Sequence, residues 1–252
     1  MNYSSILKLY DEYVDTYRDA SGALPAMMQL KRAHTARVVA NARIIAHCEN
    51  FTQELSDAAS IAALLHDTGR YEQLRLYNTF RDSDSVDHAV FSHDIVKARG
   101  WTEDPAILDA VLYHNRRDLP EGLDERTFIL SHTVRDADKL DIFRVLEEQV
   151  ATTDWRTDSR AFWNLKTDAD PSEEVVRAII EHRPVDYQHI KCLADFVLIQ
   201  VGWMVSGLHF ATSRRLARER NHLAFRRDFL KQLSSSSDID RLCDMAEASA
   251  HE

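Results

Sequence analysis

The chain has few of the residues that interrupt helices or staple small folds. It contains six glycines, five prolines and three cysteines among 252 residues. So little glycine and proline, together with abundant helical periodicity, predicts an all-α protein. Cys48, Cys192 and Cys243 are widely spaced, which is typical of reduced thiols rather than a metal finger. The first residues also lack a basic segment followed by an apolar one, so we expect a cytoplasmic protein.

Excess positive charge is missing as well. The chain carries 31 lysines and arginines against 41 aspartates and glutamates, a formal net charge of −10. A protein that binds polymeric nucleic acid needs a basic surface to neutralise phosphates, so we expect no nucleic-acid polymer as a partner. A small phosphorylated substrate stays compatible, because a metal ion and a few arginines can reverse the field inside one pocket.

Long uninterrupted apolar runs are also lacking. The most apolar stretch, Leu193 to Ala211, approaches the roughly 20 residues of a membrane span. Asp195, Gln200 and His209 interrupt it. We therefore predict a buried helix, or the interface of a homodimer, and no membrane partner.

The length and the 44% apolar content allow one sizeable core, or one core with an appended helical lobe. The composition becomes more polar after Val150. We predict a single α-helical domain over 1–252, with a core at 26–148 and a helical C-terminal extension at 149–252 packed on that core.

The most informative segment is LLHDTGR, residues 64–70. An apolar helix brings His66 and Asp67 to its C-terminal end, and Gly69 is expected to end that helix in the left-handed conformation. One imidazole beside one carboxylate is a ligand pair suited to Zn, Mn, Fe, Co or Ni. A His-Asp dipeptide alone is weak evidence, because it is usually a surface helix end.

Two further predicted helices supply matching groups. His34 lies on a helix that runs from about Ala26 to His47, and Asp138 lies in the segment RDADKLDIF at 135–143. An isolated histidine on such a helix would usually be a core residue with a satisfied hydrogen bond. The metal interpretation depends on the other groups of the series.

The ordered series His34, His66-Asp67 and Asp138 resembles the HD-domain superfamily of metal-dependent phosphohydrolases. The signature of that superfamily is a His…His-Asp…Asp series on a helical bundle, and the resemblance runs from about residue 31 to residue 143. It implies an HD-domain-like helical bundle with additional C-terminal helices. It also implies that these four residues bind a divalent metal ion, with Mn, Mg, Fe, Co, Ni and Zn as candidates.

A second metal ion is implied by two more histidines. Members of the superfamily with two ions add two histidines between the His-Asp pair and the last Asp, and His88 and His114 are the matching positions. His88 begins a helix that Ser85 or Asp87 can cap. His114 ends an apolar helix, where a simple favourable cation is the alternative interpretation.

Candidate substrate-binding residues surround these ligands. Arg70 follows the His-Asp pair directly and could bind a phosphate oxygen bidentately, although an ion pair with a neighbouring acid explains it equally well. Arg116 and Lys139 are further candidates, with a solvated surface position or neutralisation of the acidic patch as alternatives. Asp141 shares a helical face with Asp138 and is expected to orient a ligand.

These features favour hydrolysis of a phosphoester in a small phosphorylated compound, with a nucleotide as the leading candidate, by a metal-activated water. Asp67 and Arg70 are the candidate catalytic residues. By resemblance, a mononuclear site implies a nucleoside monophosphate phosphatase and a dinuclear site a phosphodiesterase. Two alternatives stay open. One is a di-iron oxygenase on the same scaffold, and the other is a non-catalytic metal-containing ligand sensor.

Overall fold

The computed structural model describes residues 2–158 and 162–249. These ranges are largely helical, which confirms the prediction of an all-α fold. Regular strands are absent from the described residues, where extended pairing is limited to one bridge between Lys166 and Cys192. The helices are α1 (Tyr3–Asp15), α2 (Ala26–Cys48), α3 (Gln53–Leu65), α4 (Gly69–Tyr77), α5 (His88–Ala98), α6 (Pro105–Tyr113), α7 (Glu125–Thr152), α8 (Glu173–Ile180), α9 (Leu193–Gly202), α10 (Ala211–Glu219), α11 (His222–Leu233) and α12 (Asp238–Ser249).

The chain divides into two compact units, one ending at Asp141 and the other beginning at Ile142. This boundary lies within α7. The boundary between residues 148 and 149 that the sequence suggests lies further along the same helix. The organisation as a single domain over 1–252 stays a prediction.

Helix α3 is the centre of the first unit, where it packs against α1, α2 and α6. Every residue from Ala58 to Leu65 is buried, as expected of a helix that is apolar on all sides. Ala42 on α2 is fully buried, and so small a side chain suits close packing of the two helices. The C-terminal end of α3 therefore delivers His66 and Asp67 into the interior of the unit.

Gly69 does not have the left-handed conformation that the sequence suggested, and this expectation was wrong. Helix α3 ends at Leu65, a short turn follows, and Gly69 is the first residue of α4. The glycine is required for a different reason. A Cβ atom at this position would lie 2.7 Å from the backbone nitrogen of Ser92 on α5. The absence of a side chain lets α4 and α5 meet directly beside the His-Asp pair.

The sequence offered Ser85 or Asp87 as the cap of α5, and the structure shows that the cap is Asp87. Its Oδ1 accepts hydrogen bonds from the backbone nitrogens of Ala89 and Val90, at 3.0 and 3.2 Å. Such a cap satisfies two of the donors that a helix N-terminus leaves open. It fixes His88 as the first residue of the helix.

In the second unit, the apolar stretch from Leu193 to Ala211 is interrupted rather than continuous. Helix α9 is buried and ends at Gly202, and Trp203–Gly207 forms a π-helical turn before the chain becomes extended at Leu208. Gly202 permits close packing, because a Cβ atom there would lie 3.0 Å from Cγ1 of Ile179. None of the helices in the described part of the chain has the length and hydropathy that a membrane-spanning helix requires.

Candidate metal centre

Five helical segments of the first unit bring the six predicted ligands together. The four histidines and Asp67 are buried, and Asp138 is half-buried. His34 lies on α2 and Asp138 on α7, while His66 and Asp67 occupy the turn between α3 and α4. His88 begins α5, and His114 follows the last residue of α6.

Each of the four histidines is held through its Nδ1 atom. Carbonyl and carboxylate oxygens only accept hydrogen bonds, so each Nδ1 carries the proton and each neutral ring keeps a lone pair on Nε2. This is the arrangement typical of metal-binding histidines. The four bonds run from His34 to Asp141 Oδ2 (2.7 Å), from His66 to the Ala63 carbonyl (2.7 Å), from His88 to Asp82 Oδ2 (2.5 Å) and from His114 to the Val111 carbonyl (2.7 Å).

The first group of ligand atoms gathers around Oδ2 of Asp67. That oxygen lies 3.6 Å from His34 Nε2 and 3.5 Å from His66 Nε2. Asp138 Oδ1 completes the group, at 3.1 Å from His34 Nε2 and 3.8 Å from His66 Nε2. Two imidazoles and two carboxylates therefore face one small volume.

The second group gathers around the other oxygen of the same carboxylate. Asp67 Oδ1 lies 3.6 Å from His88 Nε2 and 3.8 Å from His114 Nε2. The two Nε2 atoms are only 3.0 Å apart. Asp67 thus presents one oxygen to each pair of histidines, which is the geometry of a bridging carboxylate.

These atoms fit a bound cation. His34 Nε2 and His66 Nε2 are buried and make no hydrogen bond, which is costly for a polar atom without a partner. His88 Nε2 and His114 Nε2 face each other at 3.0 Å, and with both rings protonated at Nδ1 their lone pairs repel each other. A divalent cation in each group would satisfy its two nitrogens, and a donor set of imidazoles and carboxylates suits Mn, Fe, Co, Ni or Zn.

The electrostatics of the centre keep Asp67 ionised. Burial by itself would raise the pKa of Asp67, but the positive charges of Lys31 and Arg70 and the neighbouring imidazoles outweigh it and hold that pKa well below its usual range. Burial and the neighbouring imidazoles also lower the pKa of His114 to about 3, so its ring stays neutral. Both effects keep these groups in the protonation state that a metal ligand needs.

Two positively charged side chains contact the Asp67 carboxylate. Lys31 Nζ lies 2.6 Å from Asp67 Oδ2, and Arg70 Nε lies 3.4 Å from Asp67 Oδ1. Both cations also lie near the ring of Phe80, at 5.4 and 5.8 Å from its centroid. Sequence reasoning missed Lys31, although its spacing of three residues from His34 places both on one face of α2.

The other predicted site residues occupy the surroundings. Arg116 pairs with Asp87, the cap of α5, at 2.7 Å. Lys139 is half-buried on α7, where burial, and next the positive charge of Arg135, lower its pKa to about 8. Asp141 accepts hydrogen bonds from His34 and, through both oxygens, from Arg37.

Asp82 is a second residue that sequence reasoning missed. It lies in the polar connection between α4 and α5, within a short 3-10 turn at Asp82–Asp84. Its carboxylate contacts His88 and Arg70. No spacing rule links a loop aspartate to those two residues, so the sequence carries no signal for this contact.

Comparison with protein families agrees with this geometry. Residues 32–142 match the family model described as HD domain. Over these residues the chain is similar to an HD domain. The matched range contains all six residues of the metal centre and ends beside the boundary of the first unit. HD domains bind divalent metals and belong to a superfamily of metal-dependent phosphohydrolases. The comparisons with curated proteins and with solved structures gave no match.

Proposed function

We propose that the HD domain hydrolyses a phosphoester in a small phosphorylated compound, with a nucleotide as the leading candidate. The observation that carries the proposal is the position of Asp67, whose two oxygens face two separate pairs of histidines. This arrangement supports a site for two divalent ions. When bound, the ions draw charge from the phosphoryl group and lower the pKa of water toward neutrality.

Each proposed ligand has a distinct task. His34, His66 and Asp138 would hold one ion and His88 and His114 the other, and Asp67 would contribute one oxygen to each. The Nδ1 hydrogen bonds keep every Nε2 lone pair directed at this volume. Because these side chains are fixed before any ligand arrives, little reorganisation is needed on binding.

Arg70 is the residue that we propose to bind a phosphate oxygen. Its guanidinium already contacts Asp67 Oδ1, so it lies beside the reacting centre. Its Nη1 already donates to Asp82 and to the Phe80 carbonyl, so the other donors of its planar fork are the ones that suit phosphate oxygens. Lys31 adds a second positive charge beside the same carboxylate. Two local cations give an anion a favourable field in a chain whose net charge is −10.

The preference for a nucleotide is supported by Phe80. Its half-buried ring lies within 6 Å of both cations that we assign to the phosphate. An aromatic ring next to a phosphate site is suited to contact the planar base of a nucleotide. Arg116 and Lys139 are also proposed as substrate contacts. Each has a charged neighbour as well, which is Asp87 for Arg116 and Arg135 for Lys139.

Metal content and hydrolysis, measured together, test the proposal. Purified full-length protein is analysed by mass spectrometry, and hydrolysis of an aryl phosphate and of its diester is followed in parallel. We expect about two ions per chain and turnover of at least one ester. His88→Ala and His114→Ala should each lose one ion and most of the diester activity. His93→Ala is the matched control, because His93 lies on α5 and bonds to Asp94 instead.

Three outcomes would contradict parts of the proposal. Unchanged metal content in both variants would exclude the second ion at His88 and His114. Full metal content without turnover on a broad panel of esters would favour the ligand sensor. Bound iron together with oxygen consumption would favour the oxygenase.

A further inference from the structure

His88 is held differently from the other histidines of the centre. The rings of His66 and His114 bond to carbonyls three residues earlier, Ala63 and Val111, so local backbone geometry fixes them. His34 bonds to Asp141 on the long helix α7. His88 alone among the four depends on a loop side chain, because its Nδ1 donates to Asp82 Oδ2 at 2.5 Å.

The same carboxylate also holds Arg70. Asp82 Oδ1 accepts from an Arg70 Nη1 at 2.9 Å, while Arg70 Nε faces Asp67 Oδ1 at 3.4 Å. His88 Nε2 faces that same Asp67 oxygen at 3.6 Å. One loop aspartate therefore aligns a histidine and an arginine on a single atom of the bridging carboxylate.

Gln73 on α4 holds the loop that contains Asp82 in place. Gln73 is fully buried, and its amide nitrogen donates to Asp82 Oδ1, to Ser85 Oγ and to the Val86 carbonyl, at 3.0, 2.8 and 3.1 Å. Arg70 adds a bond to the Phe80 carbonyl at 2.6 Å. Asp82 is consequently held at a defined position, although it belongs to a loop.

We infer that Asp82 is a positioning residue that fixes the ring of His88 for the second metal ion and Arg70 for the phosphate at the same time. The inference rests on the proposed function for its link to catalysis, but its structural part does not. It makes two properties, the affinity of the second ion and the affinity for substrate, depend on one carboxylate.

Asp82→Asn separates the two properties. Two donors, from Arg70 and Gln73, face Oδ1 of Asp82, so the amide oxygen is expected to take that side. The amide nitrogen then faces His88 Nδ1 and donates to it. A ring that accepts at Nδ1 carries its proton on Nε2 and has no lone pair there for a metal. We expect this variant to keep Arg70 in place and to lose the second ion.

Asp82→Ala removes both functions. Neither His88 nor Arg70 keeps its partner, so the second ion and the substrate should both bind more weakly. Loss of a residue that orients a metal ligand typically costs about 10- to 100-fold in metal affinity. Asp84→Ala is the matched control, because Asp84 lies in the same 3-10 turn but contacts Arg81 and Ser83 on the surface instead.

The test uses three measurements on the full chain. Nitrogen-15 NMR of the imidazoles in chelator-treated protein reports the ring tautomer, with the His88 signals assigned from the spectrum of His88→Ala. Electron paramagnetic resonance of bound Mn²⁺ distinguishes an exchange-coupled pair from an isolated ion. Steady-state kinetics with the best ester give KM and kcat, and the temperature midpoint of unfolding shows whether each variant is folded.

We expect His88 to change from the Nδ1–H to the Nε2–H form in Asp82→Asn, with loss of the coupled Mn²⁺ signal. KM should rise in Asp82→Ala and stay near the wild-type value in Asp82→Asn. Wild-type tautomer and a coupled pair in both folded variants would overturn the inference. Absence of ester hydrolysis in the wild type would instead overturn the proposed function and leave the tautomer and Mn²⁺ results to decide the role of Asp82.

Discussion

Lys31 Nζ lies 2.6 Å from Asp67 Oδ2, the carboxylate oxygen that faces His34 and His66. The Lys31 side chain is 20% exposed and that of Asp67 is 4% exposed, so this ion pair lies largely out of water. A buried carboxylate needs such compensation, because an unpaired charge in the interior is strongly destabilising. Lys31 therefore stabilises the buried Asp67 carboxylate.

Lys31→Met should destabilise the chelator-treated protein by about 2 kcal/mol, less than the full cost of a broken buried pair because Arg70 also contacts Asp67. Saturating Mn²⁺ should recover much of this loss, since the cation compensates the same carboxylate. Urea unfolding with and without metal measures both values. Lys8→Met is the control, because the pair of Lys8 with Glu12 is exposed. Equal losses in the two variants would contradict the prediction.

His114 should make the stability of the metal-free protein depend on pH. Its pKa is lowered from 6.5 to about 3 by burial, and next by the neighbouring His88 and His66, whose rings disfavour a further positive charge. Between these two pH values the unfolded chain binds a proton that the folded chain does not, so stability falls as pH falls below about 6.5. Above that pH the group contributes nothing to the pH dependence.

Replacing His114 by glutamine should therefore flatten the stability curve on its acidic side. Burial alone would lower the pKa of His34, but the neighbouring carboxylates of Asp138 and Asp141 raise it, so His34 works in the opposite direction. The difference between the wild type and His114→Gln is therefore the quantity to follow. Urea midpoints measured with chelator from about pH 4.5 to about pH 7.5 provide it. Parallel curves for the two proteins would exclude a buried neutral His114.

Gly69→Ala tests the contact between α4 and α5. The added Cβ would lie 2.7 Å from Ser92 N and 3.0 Å from the His88 carbonyl oxygen, and backbone atoms cannot rotate away. We expect a loss of about 2 kcal/mol from overpacking, together with weaker metal binding, because the shift displaces His88.

Gly202→Ala provides the comparison for this variant. Its added Cβ would meet Cγ1 of Ile179 at 3.0 Å, and a side chain can change its rotamer. The loss of stability should be smaller than in Gly69→Ala, and metal binding should be unchanged. Thermal unfolding of both variants, with metal titration, decides between these expectations.

In the second unit, Arg226 should be one of the costliest single residues to remove. It is fully buried and bonds to Glu147, Gln200 and the Phe143 carbonyl. Burial lowers its pKa to about 10, against the opposing effect of Glu147. Arg226→Met should cost about 3 kcal/mol, because it leaves a partly buried carboxylate without its guanidinium partner.

A double-mutant cycle isolates that pair. Arg226→Met combined with Glu147→Gln should cost less than the sum of the single changes, since the second change removes the uncompensated charge. The neighbouring Arg227→Met should cost less than about 1 kcal/mol, because Arg227 pairs with exposed acids such as Asp244. Strict additivity of the two changes would contradict an energetic coupling between Arg226 and Glu147.

Periodicity predicted the helices that form the centre, but not how they end. The helix expected from about Ala26 to His47 is found at Ala26–Cys48. The end of α3 was misassigned, because glycine serves both left-handed turns and close helix contacts, and only the position of Ser92 distinguishes them. No proline marks the break after Gly202, where the α-helix gives way to a π-helical turn.

The proximity of the six candidate ligands was predictable because their order along the chain carries the signal. The residues that support them were not. Lys31 was readable in principle from its helical spacing to His34, whereas the contact of Asp82 with His88 depends on the path of a loop. Such contacts depend on tertiary structure, which local propensity and residue spacing do not predict.

The hydrogen bonds of His66 and His114 to backbone carbonyls also bear on how this centre could diverge or be redesigned. No substitution at Ala63 or Val111 removes a main-chain oxygen, so half of the imidazoles are shielded from point mutation of the residues that orient them. The orientation of the other half is encoded in two carboxylates, Asp82 and Asp141. Substitutions that change the orientation of these two histidines, in evolution or by protein engineering, would therefore fall at Asp82 and Asp141.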